Sequence, residues 1–279
     1  VLSYRHAFHA GNHADVLKHL VLVRLLRYLN QKDKPWSLID THAGAGMYPL
    51  DTGYATQNAE HEGGIARLWQ RDDLPPPLAE YVGLIRGLNK GRLRDYPGSP
   101  WIAAQHLRED DRMHLFELHP ADHALLAEGA AAYGRQVKVA QSDGFAGIKA
   151  LLPPPSRRGL VLIDPSYEDK RDYARVIDAL NEGLKRFSTG IYAVWYPLLA
   201  RAELRRLRDK LRDLPVHWLD VSLTVRKPHG VASGMFGSGM FVINPPWTLA
   251  DELRACQPLL LDALREDAGA AMTVEVHGD

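Results

Sequence analysis

The sequence predicts a doubly wound α/β sheet with a polar ligand cleft along one rim, and three observations carry that reading. Four short apolar runs end in an acid: Leu38-Ile39-Asp40, Met113 to Glu117, Val137 to Asp143, and Leu160 to Asp164. The first runs into Gly44-Ala45-Gly46, where glycine permits a tight turn and close approach of backbone to a ligand. Helical stretches separate the runs, and in such sheets ligands bind beyond the carboxyl ends of the strands. Four acids at one rim are hard to assign to solubility.

The elements follow in order. Residues 12–30 form a helix, because Asn12 can cap it and Val16, Leu17, Leu20, Val23 and Leu26 recur at helical spacing. Asp15 and His19, four residues apart, share a face of it. The first strand then reaches Asp40 and the Gly-x-Gly turn. The third glycine of the dinucleotide fingerprint is missing and Pro49 interrupts the helix that normally follows, so a simple turn stays open as an alternative.

From Met47 to Gly98 the strand pattern stops. Ile65 to Trp69 and Leu78 to Leu88 look helical around Pro75-Pro76-Pro77, so residues 48–97 read as a helical insertion between the parts 1–47 and 98–279 of one domain. Pro97-Gly98-Ser99-Pro100 restarts the main fold, with Ser99 as N-cap and Pro100 at the first helical position. After the fourth strand, Tyr173 to Phe187 is an amphipathic helix and Ile191 to Tyr196 a fifth strand stopped by Pro197. Leu199 to Leu214 is a basic helix carrying Arg201, Arg205, Arg206, Arg208, Lys210 and Arg212. Residues 216–226 and 239–244 are two more strands joined by a glycine-rich turn, and Leu249 to Leu264 is a helical tail.

Composition narrows the function. The chain has 279 residues, is 46% hydrophobic, and balances 34 Lys and Arg against 34 Asp and Glu. It can bury a large core, and any nucleic-acid contact must come from local patches because no net field draws a polyanion. The single cysteine, Cys256, excludes an internal disulfide and a cysteine zinc cluster. The single cysteine fits a reducing cytoplasm, no segment approaches a membrane span, and the opening residues lack the apolar stretch of a signal peptide; a cytoplasmic protein away from the membrane is expected, and a monomer.

The richest stretch is Gly159 to Tyr167. An apolar strand ends there on Asp164-Pro165-Ser166-Tyr167, an acid, a proline and an aromatic that could hold an exocyclic amine against a planar base. A plain strand-to-turn exit is the alternative, since Asp-Pro favours turns.

The order of Gly-x-Gly, Glu117, Asp143-Gly144 and Asp-Pro-x-Tyr resembles the Rossmann-like methyltransferases that use S-adenosylmethionine. Leu2 to His19, Asp40 to Gly46, Tyr96 to Pro100, Arg157 to Pro165 and Val242 to Trp247 resemble the bacterial 23S ribosomal RNA adenine-N6 methyltransferases of the RlmJ family. The resemblance implies a class I fold, a seven-stranded mostly parallel sheet with strand 7 antiparallel, plus a small helical insertion.

It also implies roles. Asp164 and the Pro165 carbonyl would accept hydrogen bonds from adenine N6, and Tyr167 would stack on an extruded base. Glu117 would bind the ribose of the cofactor and Asp143 with Gly144 its adenine. Ser99 would meet its carboxylate, with His19, His42, Gly44 and Gly46 in the same pocket. Tyr4 and Lys18 would face the RNA, implied to be protein-free 23S rRNA or an early assembly intermediate. Ser166 departs from the usual second proline and restores a backbone N–H, which puts the rate in doubt.

Other readings stay open. His9 and His13, with Asp40-Thr41-His42, could hold a metal, although Gly11 disturbs their helical register; His13 and His106 read more simply as satisfied structural histidines. No Gly-x-Ser-x-Gly elbow supports a serine hydrolase. An adenine-N6 DNA methyltransferase, or a nucleic-acid-binding protein involved in the use of external DNA, would keep much of the pattern. Arg157-Arg158 and Arg226-Lys227 lie nearer the expected rim than the basic helix, whose acids make a solvated face at least as good a reading. Trp195-Tyr196-Pro197 could line the base pocket, but aromatics on a fifth strand are more often core.

Overall fold

A computed structural model of the chain describes residues 6–51, 58–228 and 234–278. Its strands are β1 (Ser37–Asp40), β2 (Met47–Pro49), β3 (Asp95–Pro97), β4 (Arg112–Phe116), β5 (Val137–Ala140), β6 (Gly159–Ile163), β7 (Ile191–Leu198), β8 (Trp218–Thr224), β9 (Gly237–Ile243) and β10 (Ala271–His277). Eight of them form one sheet in the order β10-β8-β9-β7-β6-β1-β4-β5. The five from β7 to β5 are parallel, and β9 runs antiparallel between β7 and β8. The chain leaves β1 toward β4 on one side and returns to β6 on the other. That reversal opens a crevice at the carboxyl ends of β1 and β6. All five residues of β6 are buried, which is why it reads as an unbroken apolar run.

The expected count of seven strands is corrected to eight. β10 pairs antiparallel with β8 and caps the sheet. Among its residues only Met272 is buried, so this edge strand has no apolar run to announce it. Pro197 does not stop the fifth strand, which continues to Leu198. Pairing with β6 ends at Val194, so Pro197 lies where β7 is bonded only to β9 and its missing N–H interrupts no second ladder.

Helix α1 (His13–Leu29) is capped as expected, with Asn12 Oδ1 accepting from Ala14 N and Asp15 N, both at 3.0 Å. It is buried nearly all round, packed against β9, the helix Pro76–Asn89, the helix Ser99–Ala104 and the helix Leu249–Leu264. A helix enclosed on every side carries apolar residues on every side. Truncating a fully buried residue such as Leu20 to Ala would cost about 2–5 kcal/mol.

The strand pattern does not stop at Met47. β2 pairs antiparallel with β3, tying the two ends of the intervening segment together. Between them lie a 3-10 turn (Glu60–Gly63) and the helices Ala66–Trp69 and Pro76–Asn89. Ile65, Leu68, Tyr81 and Ile85 share one apolar core with Leu17, Leu20 and Val23 of α1. The opposite face of the sheet has its own core under the helix Asp172–Arg186.

Candidate active site

Adjacent strands β1 and β6 deliver two carboxylates to the crevice. Asp40 ends β1 and Asp164 follows β6, with Asp40 in register with Leu162. From the third direction α1 supplies Lys18. Its Nζ lies 2.6 Å from Asp164 Oδ2 and 3.0 Å from Asp15 Oδ1. Asp15 Oδ2 in turn accepts from Gly11 N at 2.9 Å and pairs with His6 Nε2 at 2.8 Å. Lys18 and Asp15 are almost wholly buried, and the Asp164 side chain is 15% exposed. Buried charges are tolerable only when paired and hydrogen-bonded, and this chain of contacts does both.

The ionisation states follow. Burial opposes the charged form of Asp15, but His6 and Lys18 outweigh it and hold the carboxyl well below the usual range. Burial likewise pulls the Lys18 ammonium down, and Asp15 with Asp164 raises it well above ordinary lysine. At Asp164 burial dominates, so its pKa is raised despite the pull of Lys18. Burial pushes Asp40 up to about 6, against the Ser99 hydroxyl that donates to its Oδ2 at 2.6 Å.

A cleft on one side of Asp164 collects most of the residues singled out for a cofactor. His19, His42, Gly44, Ser99, Glu117 and Gly144 all line it. Glu117 accepts from Gly44 N at 2.9 Å and from His119 N at 2.7 Å, which pins the carboxylate at the end of β4. Gly44 has φ +63°, and a Cβ there would lie 2.1 Å from the Tyr48 hydroxyl. His19 Nδ1 bonds Tyr96 Oη at 2.7 Å and His42 Nδ1 bonds Thr41 Oγ1 at 2.7 Å. Burial lowers the first imidazole to about 3 and the second to about 4, so both are neutral near pH 7.

These residues fit S-adenosylmethionine. An anchored carboxylate suits ribose hydroxyls, Phe116 and Leu118 offer an apolar wall, and His19 Nε2 is buried without a partner in the lining. Asp143 stands behind the lining. One of its oxygens caps the helix Gly144–Leu151 through Phe145 N, and the other is held by Arg175. Gly46 faces Leu126 on a separate apolar cavity.

On the other side of Asp164 is a second cavity, about 410 Å3 in volume. Lys18, Asp164, Ser166, Tyr167, Trp195 and Arg201 are among its walls. Lys18, Asp164 and Ser166 belong to both cavities, so the carboxylate stands where they meet. Tyr167 adopts φ +55°, an uncommon conformation for an aromatic residue. Its hydroxyl donates to the Trp195 carbonyl at 2.7 Å, and its ring packs 4.8 Å from that of Tyr173. Ser166 Oγ accepts from Glu168 N at 3.4 Å. Tyr4 lies outside the described residues.

Several expectations need correction. Ser99 opens its helix at the first helical position and Gly98 is the N-cap, because the Ser99 hydroxyl is drawn instead to buried Asp40. Arg157 and Arg158 precede β6 and therefore sit at the opposite rim, where Arg158 donates to the carbonyls of Leu29 and Lys34. Arg226 is at the site's rim but pairs with Glu266. Arg208 and Arg212 turn inward to buried Asp220. His106 is satisfied by Ile102 O, whereas His13 Nδ1 is buried without a partner. His9 Nδ1 bonds Glu60, which Asn12 Nδ2 also reaches.

Sequence reasoning missed the Asp15–Lys18 pair and the Ser99–Asp40 bond, and it favoured a core role for Trp195, which lines the second cavity. An acid one turn before a lysine on an otherwise apolar helix was the available signal for the first.

The five parallel strands, the antiparallel β9 between β7 and β8, and a cleft at the switch point define a class I S-adenosylmethionine-dependent methyltransferase. The family model described as ribosomal RNA large subunit methyltransferase D, RlmJ, matches residues 33–276, and the chain belongs to this family. It is 49% identical to the ribosomal RNA large subunit methyltransferase J of Escherichia coli K12 over 262 residues, 93% of each chain. The methyltransferase J of Haemophilus influenzae is 46% identical over 278 residues, covering 99% of this chain and 98% of that one. A crystal structure of a Legionella pneumophila protein matches with a TM-score of 0.89 and 38% identity, covering 96% of this chain and 98% of that one.

Proposed function

We propose that this enzyme transfers a methyl group to N6 of one adenosine in 23S rRNA. The observation that carries the reading is Asp164, a carboxylate in the wall common to two cavities, followed directly by Pro165. S-adenosylmethionine supplies the activated methyl group. The residues in the first cleft bind it: Glu117 takes the ribose hydroxyls, Gly144 with Asp143 behind it the adenine, and the backbone around Ser99 the carboxylate. His19, His42 and Gly44 shape that pocket.

The target adenine enters the second cavity. Lys18 takes Asp164 Oδ2 and fixes the carboxylate, so Oδ1 is the oxygen offered to N6–H. The Pro165 carbonyl is the second acceptor. Two acceptors orient the amine so that its lone pair, normally delocalised into the ring, points at the first cleft. Positioning of this kind supplies much of the rate when the electrophile is already reactive. Tyr167, tethered to Trp195 O, provides the face against which an extruded base stacks.

The reading extends to context. The enzyme works as a cytoplasmic monomer on protein-free rRNA or an early assembly intermediate, and residues 48–97 form an insertion between 1–47 and 98–279 of one domain. Among the described residues no helix is long and apolar enough to cross a membrane. The test is methyl transfer from labelled S-adenosylmethionine to protein-free 23S rRNA, with duplex DNA in a parallel reaction. Label in the RNA alone supports the proposal; label in the DNA alone overturns the substrate.

A further inference from the structure

The second cavity runs past the base-holding residues. Besides Tyr167 and Trp195 its lining includes Pro197, Leu199 and Met235, at and beyond the carboxyl end of β7, and the exposed Arg201. Most cations around it are already neutralised. Lys18 is held by Asp15 and Asp164, His9 by Glu60, Lys170 by Glu203, and Arg226 by Glu266. On its own helix (Ala202–Arg212), Arg208 and Arg212 are committed to Asp220. Arg201 is different. It is exposed, lies beside the Tyr173 hydroxyl, and has no carboxylate partner among the described residues.

We propose that Arg201 binds a backbone phosphate next to the target adenosine, so that the outer half of the second cavity is a nucleotide subsite. The inference rests on the methyl-transfer reading, which puts the extruded base at Asp164. The strand that carries the base must leave the cavity toward solvent, and Arg201 is an exposed residue of its lining. A guanidinium offers a planar fork that matches two phosphate oxygens, and it stays charged at any pH the protein survives. The apolar floor of Pro197, Leu199 and Met235 accepts a sugar or a neighbouring base without demanding its identity. Sequence discrimination therefore falls to the inner half, and strand affinity to the outer.

The test compares wild type with Arg201→Gln and Arg201→Lys, with S-adenosylhomocysteine present, for binding to protein-free 23S rRNA across a salt series. Methylation kinetics are measured on the same RNA. Arg201→Gln should weaken binding about tenfold, the scale of one hydrogen bond to a charged group. Its plot of log affinity against log salt should flatten by about 0.7, the value of one phosphate on a single strand. KM for RNA should rise with kcat and cofactor affinity unchanged. Arg201→Lys should restore the slope, because the charge returns without the fork. Wild-type affinity and slope in Arg201→Gln would overturn the inference and leave the methyl-transfer reading intact. A wild-type enzyme that binds the RNA but does not methylate it would overturn that reading, and the salt slopes would still decide whether Arg201 meets a phosphate.

Discussion

Lys18 and Asp164, 146 positions apart in the chain, meet at 2.6 Å in the wall common to the two cavities. The contact joins α1 to the end of β6 and settles which carboxylate oxygen is occupied. It also makes Asp164 part of a buried charge network that includes Asp15 and His6. Stability and chemistry are coupled at this point.

Replacing Lys18 by Met should therefore damage both. Two buried carboxylates lose their shared cation, and breaking such a pair from one side costs about 3–5 kcal/mol. Urea unfolding should report a loss of this size, and methyl transfer should fall even where the variant remains folded. A variant as stable as wild type would contradict the network.

Gly44→Ala should strike the cofactor side. The new Cβ meets the Tyr48 hydroxyl at 2.1 Å and is placed at φ +63°. The turn must shift, and Gly44 N is one of the two donors that anchor Glu117. Calorimetric titration should show S-adenosylmethionine affinity reduced by about tenfold or more, equivalent to one lost hydrogen bond to a charged group. Unchanged affinity would remove Glu117 from the ribose site.

His19 sets a pH dependence of stability. Burial lowers its folded-state pKa from 6.5 to about 3, so the neutral ring is the folded form. An unfolded chain binds a proton at this histidine below pH 6.5 and the folded protein does not. The stabilisation is thus complete above 6.5 and lost as pH falls, by about 2 kcal/mol between pH 6.5 and 5. Wild type should lose more stability over this interval than His19→Gln by that amount. Parallel pH profiles would contradict a neutral buried imidazole.

Tyr167→Phe isolates the tether from the ring. The ring stays, but the Trp195 carbonyl loses its donor, at a cost of about 1–3 kcal/mol if no water replaces it. Methylation should fall modestly, whereas Tyr167→Ala should bind cofactor normally and methylate poorly. Equal rates in wild type and Tyr167→Ala would refute stacking at this position.

Much of this arrangement was legible in the chain because its cause is local. Asn12 announces α1 through a cap that reaches only two and three residues ahead. Leu160 to Ile163 announce a buried parallel strand, and Asp164 its carboxyl end. What was not legible depends on distant partners. Nothing near Ser99 foretells that its hydroxyl turns from the helix end toward Asp40, 59 positions earlier. Arg158 looked close to the site because it is close in sequence to Asp164, but a five-residue strand separates them and carries them to opposite rims. β10 escaped because an edge strand with one buried side chain has no period to detect.

The central claim is that Asp164 holds adenine N6 for methylation, and nucleoside analysis of reacted RNA tests it most directly. Protein-free 23S rRNA is incubated with S-adenosylmethionine and either wild type or Asp164→Ala, digested, and resolved by mass spectrometry. Wild type should yield N6-methyladenosine, and the variant should fall by at least about a thousandfold while retaining fold and cofactor binding, at the upper range of a positioned acid–base group. Methyl on any other atom, or near-normal turnover by Asp164→Ala, would contradict the account.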